Sequence, residues 1–263
     1  MITIEPNKTC YVFDVDGTLT FPRQKMSSPF ASEFIYWAEN KQCFIATGSD
    51  YSKTKEQVPW DVLGCFKYAF CCMGNETRGS KGEIIEKNTF SLPESLEIQL
   101  AEFLKNTKYA IKTGIHLEYR TGMVNFSIVG RKADATERVA YNRWDSINGE
   151  REKIVNFINK NYPTLNASIG GEISIDIIQE GYDKGQIVHA LENAEAKKIV
   201  FVGDKCFPGG NDWGIIRELK KTSIAFEWYR VNGPNETLAL LRTNKVFDGG
   251  KWLYTIGGDY HEW

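Results

Sequence analysis

Residues 11–20 read Tyr-Val-Phe-Asp-Val-Asp-Gly-Thr-Leu-Thr, an apolar run that stops at Asp14 and Asp16 and turns at Gly17. A carboxylate at a strand tip is a nucleophile or a metal ligand, and a second one pleat period later projects to the same side. Two anions so placed repel unless a cation sits between them or one holds a proton. Hard carboxylate oxygens suit Mg²⁺, and Mg²⁺ suits phosphate, so the pair points to a phosphoryl-transfer centre.

More polar positions fall where other apolar runs end. The run Gln42 to Ala46 leads into Thr47-Gly48-Ser49-Asp50, and Lys198 to Val202 leads into Gly203-Asp204, followed by Gly209-Gly210-Asn211-Asp212. Lys184 sits in the loop Gly181-Tyr182-Asp183-Lys184-Gly185. Strand, helix, strand with polar residues at the strand ends marks a parallel α/β sheet, whose carboxyl edge gathers residues far apart in sequence. Plainer roles exist for each. Asp212 is equally well placed to cap a helix, Lys184 taken alone is a solvated lysine, and Ser49 rivals Thr47 as a phosphate-binding hydroxyl.

The elements that must position these residues fall into two textures. Phe34, Ile35, Trp37 and Ala38 recur at helical spacing between the first two strands, and Val62 to Met73 is an ambiguous apolar stretch. From Gly82 the pattern becomes α+β. Ile84 to Thr89 resembles an edge hairpin arm, Ser95 to Lys105 an amphipathic helix, and His116 to Gly130 an antiparallel pair; the helix Glu150 to Tyr162 and the strand Glu172 to Ile178 follow. Parallel texture resumes with a helix to Ala194, the strand from Lys198, a helix Asp212 to Leu219, a strand Ser223 to Phe226 and a helix Glu236 to Arg242. The expected fold is therefore α/β: a Rossmann-like parallel core, residues 1–81 and 184–263, with an α+β cap inserted at 82–183. In the cap, Ile173, Ile175 and Ile177 share one face of a strand while Ser174 and Asp176 share the other, where sugar hydroxyls are natural partners. Arg120, Arg131 and Arg138 suit a forked-donor site for a second phosphate, although singly each is more often a surface or ion-paired residue. Trp228, Tyr229, Trp252 and Trp263 are most simply packing residues.

Bulk properties narrow the class. Of 263 residues, 42% are apolar and 25% charged, enough for a real core, and a formal charge of -2 supplies no global field toward nucleic acid or anionic membrane. No run approaches the ~18 apolar residues of a membrane span. The first residues lack the charged-then-apolar order of a signal peptide, so a cytoplasmic location is expected and the six cysteines are expected to be reduced thiols.

An aspartate pair, a hydroxyl, a lysine and a terminal acidic loop in this order resemble the haloacid dehalogenase-like phosphotransferases. Asp14-Val-Asp16-Gly-Thr-Leu-Thr-x-x-Arg23, the stretch Glu118 to Arg131, Glu137-Arg138, Gly170-Gly171-Glu172-Ile173-Ser174-Ile175-Asp176 and Gly203 to Asp212 are together similar to the eukaryotic-type phosphomannomutases, from about Val12 to Ile216. The resemblance implies interconversion of hexose 6-phosphate and hexose 1-phosphate, with Asp14 as nucleophile and Asp16 as acid/base. It implies that Thr47 and Lys184 bind the transferring phosphoryl group, and that Mg²⁺ is held by Asp14, the Asp16 carbonyl and Asp204, with Asn211 and Asp212 in the acidic loop. Arg23, Arg120, Asn125, Arg131, Arg138, Ser174 and Asp176 would bind the sugar phosphate. A hexose 1,6-bisphosphate activator and a homodimer joined through the cap belong to the same expectation. Thr47 departs from the glycine usual in the mutases, and Ala-Thr-Gly fits the phosphatase branch, so a Mg²⁺-dependent sugar-phosphate phosphatase is the alternative.

Overall fold

A computed structural model describes residues 2–243. The N-terminal part of the first compact unit comprises β1 (Thr9–Phe13), α1 (Ser28–Ala38), β2 (Gln42–Ala46), α2 (Tyr51–Gln57), α3 (Trp60–Leu63), β3 (Phe66–Cys71), β4 (Glu76–Gly79) and β5 (Ile84–Lys87). The second unit, residues 88–181, contains α4 (Glu94–Asn106), β6 (Leu117–Arg120), β7 (Met123–Phe126), α5 (Ala135–Asn148), α6 (Glu150–Asn161), β8 (Leu165–Gly170) and β9 (Ser174–Gln179). The first unit then resumes with α7 (Gln186–Asn193), β10 (Lys198–Gly203), α8 (Trp213–Leu219), β11 (Ala225–Arg230) and α9 (Pro234–Arg242).

The large sheet runs β11-β10-β1-β2-β3-β4-β5, parallel from β11 to β3 and antiparallel beyond. Its central strands are buried on both faces, which is why they read as unbroken apolar runs rather than alternating ones. Phe13, Val202 and Tyr229 pack on one side with Phe34 of α1. Val12, Phe201 and Trp228 pack on the other with Leu191 and Ile216.

Boundaries differ from expectation at three places, the smallest being the end of the second unit at Gly181 rather than at 183. The change of texture at Gly82 is the turn of the β4–β5 hairpin, whose residues pair on the edge of the large sheet, so the second unit begins at Asn88 rather than at 82. The last strand lies at Ala225–Arg230 rather than at 223–226 because Trp228 and Tyr229 are themselves strand residues, facing opposite layers. Trp252 and Trp263 lie outside the described residues.

The second unit is a four-stranded antiparallel sheet, β6-β7-β9-β8, packed against helices. Val124, Phe126, Ile173, Ile175 and Ile177 share a core with Leu96, Leu100, Tyr141, Ile154 and Ile158, so the isoleucine face expected of β9 is the buried one. Helix α5 and strand β8 were not evident from the sequence. Helix α5 buries only Tyr141 and Asp145, too few for an apolar stripe; its legible signal is the capping box between Asp134 and Glu137. All six cysteines are free thiols, and among the described residues no helix is long and apolar enough to cross a membrane.

Candidate active site

Strand pairing carries Asp14 to the top of the large sheet, where its N–H donates to the Val202 carbonyl at 2.9 Å. Its side chain is almost wholly enclosed at 2% exposure. Oδ1 accepts from Lys184 Nζ at 2.5 Å and Oδ2 from Thr18 Oγ1 at 3.3 Å. Lys184, fully buried, also donates to Asp212 Oδ1 at 2.7 Å. Asp212 precedes α8 but makes no side-chain cap; its other oxygen accepts the Lys205 N–H at 3.1 Å. The capping role is thereby replaced by a role in this cluster.

Asp204, just past β10, completes the group: ligand oxygens of Asp14, Asp204 and Asp212 lie within 4.8 Å of one another. Gly17 permits that approach, because with φ at +87° any Cβ there would run into the Asp204 carboxylate. Asn211 is exposed in the turn before Asp212. Burial pushes the Asp14 carboxyl up to about 7; the Lys184 ammonium opposes the rise, and Asp212 and Asp204 add to it. For Lys184 burial works downward, but the two carboxylates outweigh it and hold the ammonium above its ordinary value. Asp204 is also raised, mainly by burial. Three carboxylates face the buried Lys184 ammonium and, at the solvent side of Asp204, the half-exposed Lys205 at 3.9 Å, so negative charge stays in excess. Asp204 Oδ1 is buried with no hydrogen-bond donor among the described residues. An all-oxygen donor set with an unfilled acceptor and an excess of negative charge fits a hard divalent cation.

Asp16 does not join that triad. Regular pairing in β1 stops at Phe13, and the chain turns, with the Gly17 N–H bonded to Thr20 O at 2.7 Å. The pleat that would have put both carboxylates on one side is thus broken. Asp16 Oδ1 accepts from the Arg23 N–H and from Gln57 Nε2, both at 2.8 Å, and Oδ2 from Ser49 Oγ and Lys53 Nζ, both at 3.4 Å. Burial pushes this carboxyl up, but the Arg23 N–H, the Gln57 amide and the Lys53 ammonium outweigh it and hold it below the usual range. The two hydroxyls also separate. Thr47 Oγ1 accepts the Ser49 N–H at 3.1 Å, while Ser49 Oγ reaches Asp16 and accepts from Lys53 at 3.1 Å. Lys53 and Gln57 were missed from sequence; their signal is the i, i+4 spacing of Ser49, Lys53 and Gln57 into α2.

In the second unit, the β7–β9 register sets Asn125 opposite Asp176. Asn125 Nδ2 donates to Asp176 Oδ1. Arg131 donates from Nη1 to Ser174 Oγ at 2.5 Å and from Nε to Glu118 Oε2 at 2.7 Å, and Arg120 Nη2 lies 3.3 Å from that same Glu118 oxygen. Gly130, with φ at +94°, delivers Arg131, since a Cβ there would overlap the Thr113 carbonyl. Burial raises the Asp176 carboxyl, opposed by Asn125, Arg120 and Arg131. Arg120, Asn125, Arg131, Ser174 and Asp176 therefore form one cluster. Arg138 is held instead by Glu172, at 3.0 Å. Glu118 was missed as a member; it lies two residues before Arg120 on β6, hence on the same face of the strand. Arg23, exposed and at φ +62°, enters only through its N–H on Asp16.

The sequence matches the family model described as eukaryotic phosphomannomutase over residues 32–248. Phosphomannomutase from Triticum aestivum is 34% identical over 237 residues, covering 86% of this chain and 91% of that one. The Saccharomyces cerevisiae phosphomannomutase is 33% identical over 245 residues, covering 90% and 94%. Among solved structures, a haloacid dehalogenase-like hydrolase from Bacteroides thetaiotaomicron superposes with a TM-score of 0.55 at 14% identity, covering 90% of this chain and 99% of that one. An IMP-bound IMP-nucleotidase from Plasmodium falciparum gives 0.57 at 14% identity, covering 92% and 67%. At such identities the structural likeness speaks for the fold.

Proposed function

Because this chain belongs to the eukaryotic phosphomannomutase family, we propose that it interconverts mannose 6-phosphate and mannose 1-phosphate, with the corresponding glucose phosphates as second substrates. The observation that carries the proposal is the sealed Asp14–Lys184–Asp212 chain beside Asp204. An anionic nucleophile meets an anionic phosphate only where cations are supplied, and Lys184 already supplies one.

In this reading Asp14 attacks phosphorus as the bond to the sugar oxygen breaks, and Asp16 delivers to that oxygen the proton it took up in the opposite half-reaction. In the return transfer Asp16 takes the proton of the other sugar hydroxyl as the phosphoaspartate is cleaved. Lys184 and a hydroxyl of the Thr47–Ser49 loop bind phosphoryl oxygens. Mg²⁺, held by Asp14, Asp204, Asp212 and the Asp16 carbonyl with Asn211 nearby in sequence, would supply charge neutralisation of the phosphoryl oxygens. Arg23, Arg120, Asn125, Arg131, Arg138, Ser174 and Asp176 bind the sugar phosphate. Hexose 1,6-bisphosphate is both intermediate and activator, able to phosphorylate Asp14. A cytoplasmic location is supported by the free thiols. A homodimer through the second unit is supported by the edge position of β6 with exposed Tyr119.

A mutase and a phosphatase share the phosphoaspartate and differ in what removes it. A positioned sugar hydroxyl acts at an effective concentration of roughly 10⁵ to 10⁸ M, so an anchored sugar outcompetes water. The arginine cluster on β6 and after β7 is the anchor this requires. The test is incubation of the full-length protein with mannose 1-phosphate, Mg²⁺ and glucose 1,6-bisphosphate, following mannose 6-phosphate and free phosphate together. Isomer formation in excess of phosphate release is expected; the opposite balance would replace the mutase with the phosphatase.

A further inference from the structure

We propose that Gln57, and to a smaller extent Lys53, are positioning residues that fix the carboxylate of Asp16; this deepens the phosphotransferase reading above and rests on it. An aspartate on a turn has two free side-chain torsions, and an acid/base group works only when held within about 0.5 Å of its productive place. Three of the four donors to Asp16 come from the loop and helix after β2: Ser49, Lys53 and Gln57. Their i, i+4 spacing presents them together.

Gln57 is the firmest of the three. It is buried, its Nε2 is shared between Asp16 Oδ1 at 2.8 Å and Thr20 Oγ1 at 3.1 Å, and its main-chain oxygen accepts the Met26 N–H at 2.8 Å. Its Oε1 is buried without a donor among the described residues. A glutamine kept only for packing has no reason to leave that acceptor unfilled; one kept for its Nε2 bonds does. Helix α2 is fixed in turn, because Asp50 caps it through the Lys53 N–H at 2.9 Å and Thr54 Oγ1 donates back to Asp50 O at 2.8 Å. The Lys53 side chain is 39% exposed and its contact with Asp16 is longer, at 3.4 Å, so its share is the lesser.

Gln57→Leu, Lys53→Met and Lys53→Arg are compared with wild type in the Mg²⁺- and bisphosphate-supplied assay, alongside a crystal structure of Gln57→Leu. Gln57→Leu is expected to lower kcat by ~10–100-fold with KM unchanged, Lys53→Met to lower it less, and Lys53→Arg to restore it. In the crystal the Asp16 carboxylate should leave the Arg23 N–H. Unchanged kcat in both Gln57→Leu and Lys53→Met, a KM that rises as kcat falls, or an Asp16 that stays in place would overturn the proposal. Should Gln57→Leu fail to fold, the Lys53 pair carries the kinetic comparison. If wild type releases phosphate instead of forming isomer, the same comparison is made on that release. If it turns over no hexose phosphate, the functional reading fails, and the position of Asp16 in the variant crystal decides the positioning role by itself.

Discussion

In the first unit the opposing charges are sealed together: Lys184 is 0% exposed between Asp14 and Asp212. In the arginine cluster of the second unit they remain wetter, with the Arg120 side chain 48% exposed beside Glu118 and Glu172 58% exposed beside Arg138. A pair in a low-dielectric interior is strongly coupled, and removing one partner strands the other. An exposed pair contributes little and exchanges partners readily. The same ion-pair chemistry thus serves two ends. The buried cluster fixes a charge imbalance that a divalent cation can relieve, whereas Glu118 and Glu172 hold arginines that, on the proposed function, a substrate phosphate would take over.

The sharpest way to break this contrast is at Asp14, the proposed nucleophile. Asp14→Ala should lower turnover by roughly 10⁴ to 10⁶-fold while the protein stays folded, since Lys184 keeps Asp212 as partner; steady-state isomerisation and circular dichroism check both halves. Lys184→Met should instead damage the fold. It leaves Asp14, Asp204 and Asp212 facing one another with only the half-exposed Lys205 near Asp204, a loss of about 3–5 kcal/mol, and urea titration should show Mg²⁺ returning part of it. If Lys184→Met were as stable as wild type in the presence of chelator, the sealed cluster would not be the coupled unit described here. Smaller effects are expected in the second unit. Arg131→Lys keeps the charge but loses the fork that reaches Glu118 and Ser174 together, so kcat/KM should fall by ~10–100-fold with the melting temperature unmoved.

How much of this was legible in the sequence follows the same division. The parallel core could be read because two-sided burial writes β1, β2 and β10 as plain apolar runs, with Asp14, Thr47 and Asp204 at their ends. The alternation of Ile173, Ser174, Ile175, Asp176 and Ile177 likewise gave both faces of β9. What escaped is what one-dimensional pattern does not carry. Helix α5 buries an ion-paired Asp145 with Arg151 at 2.7 Å instead of an apolar stripe, and β8 alternates only weakly, Leu165 and Ala167 inward. The separation of Asp16 from Asp14 depends on where strand pairing stops, and Gln57 and Glu118 matter through side chains they touch across the fold.

The smallest expected effect distinguishes the units by pH. Asp14 is pushed from an ordinary value of 3.8 up to about 7, by burial against the pull of Lys184. Between about pH 4 and 7 the folded chain therefore binds protons that the unfolded chain has released, and metal-free stability falls as pH rises through that window. Asp204 and Asp176, also raised by burial, act in the same direction. Asp16 and Glu218, held below ordinary values of 3.8 and 4.5, finish titrating beneath most of the window and do not oppose it. The melting temperature of the chelator-treated protein should drop between about pH 4 and 7, by ~2–4 °C for each kcal/mol lost. Mg²⁺ takes the place of the Asp14 proton, so the rise it gives should be greatest at the upper end. Asp14→Ala, which removes one of the titrating groups, should weaken both trends, whereas Arg131→Lys should leave them intact. Equal Mg²⁺ effects at both ends of the range would separate the buried carboxylates from metal binding and dissolve the contrast between the two units.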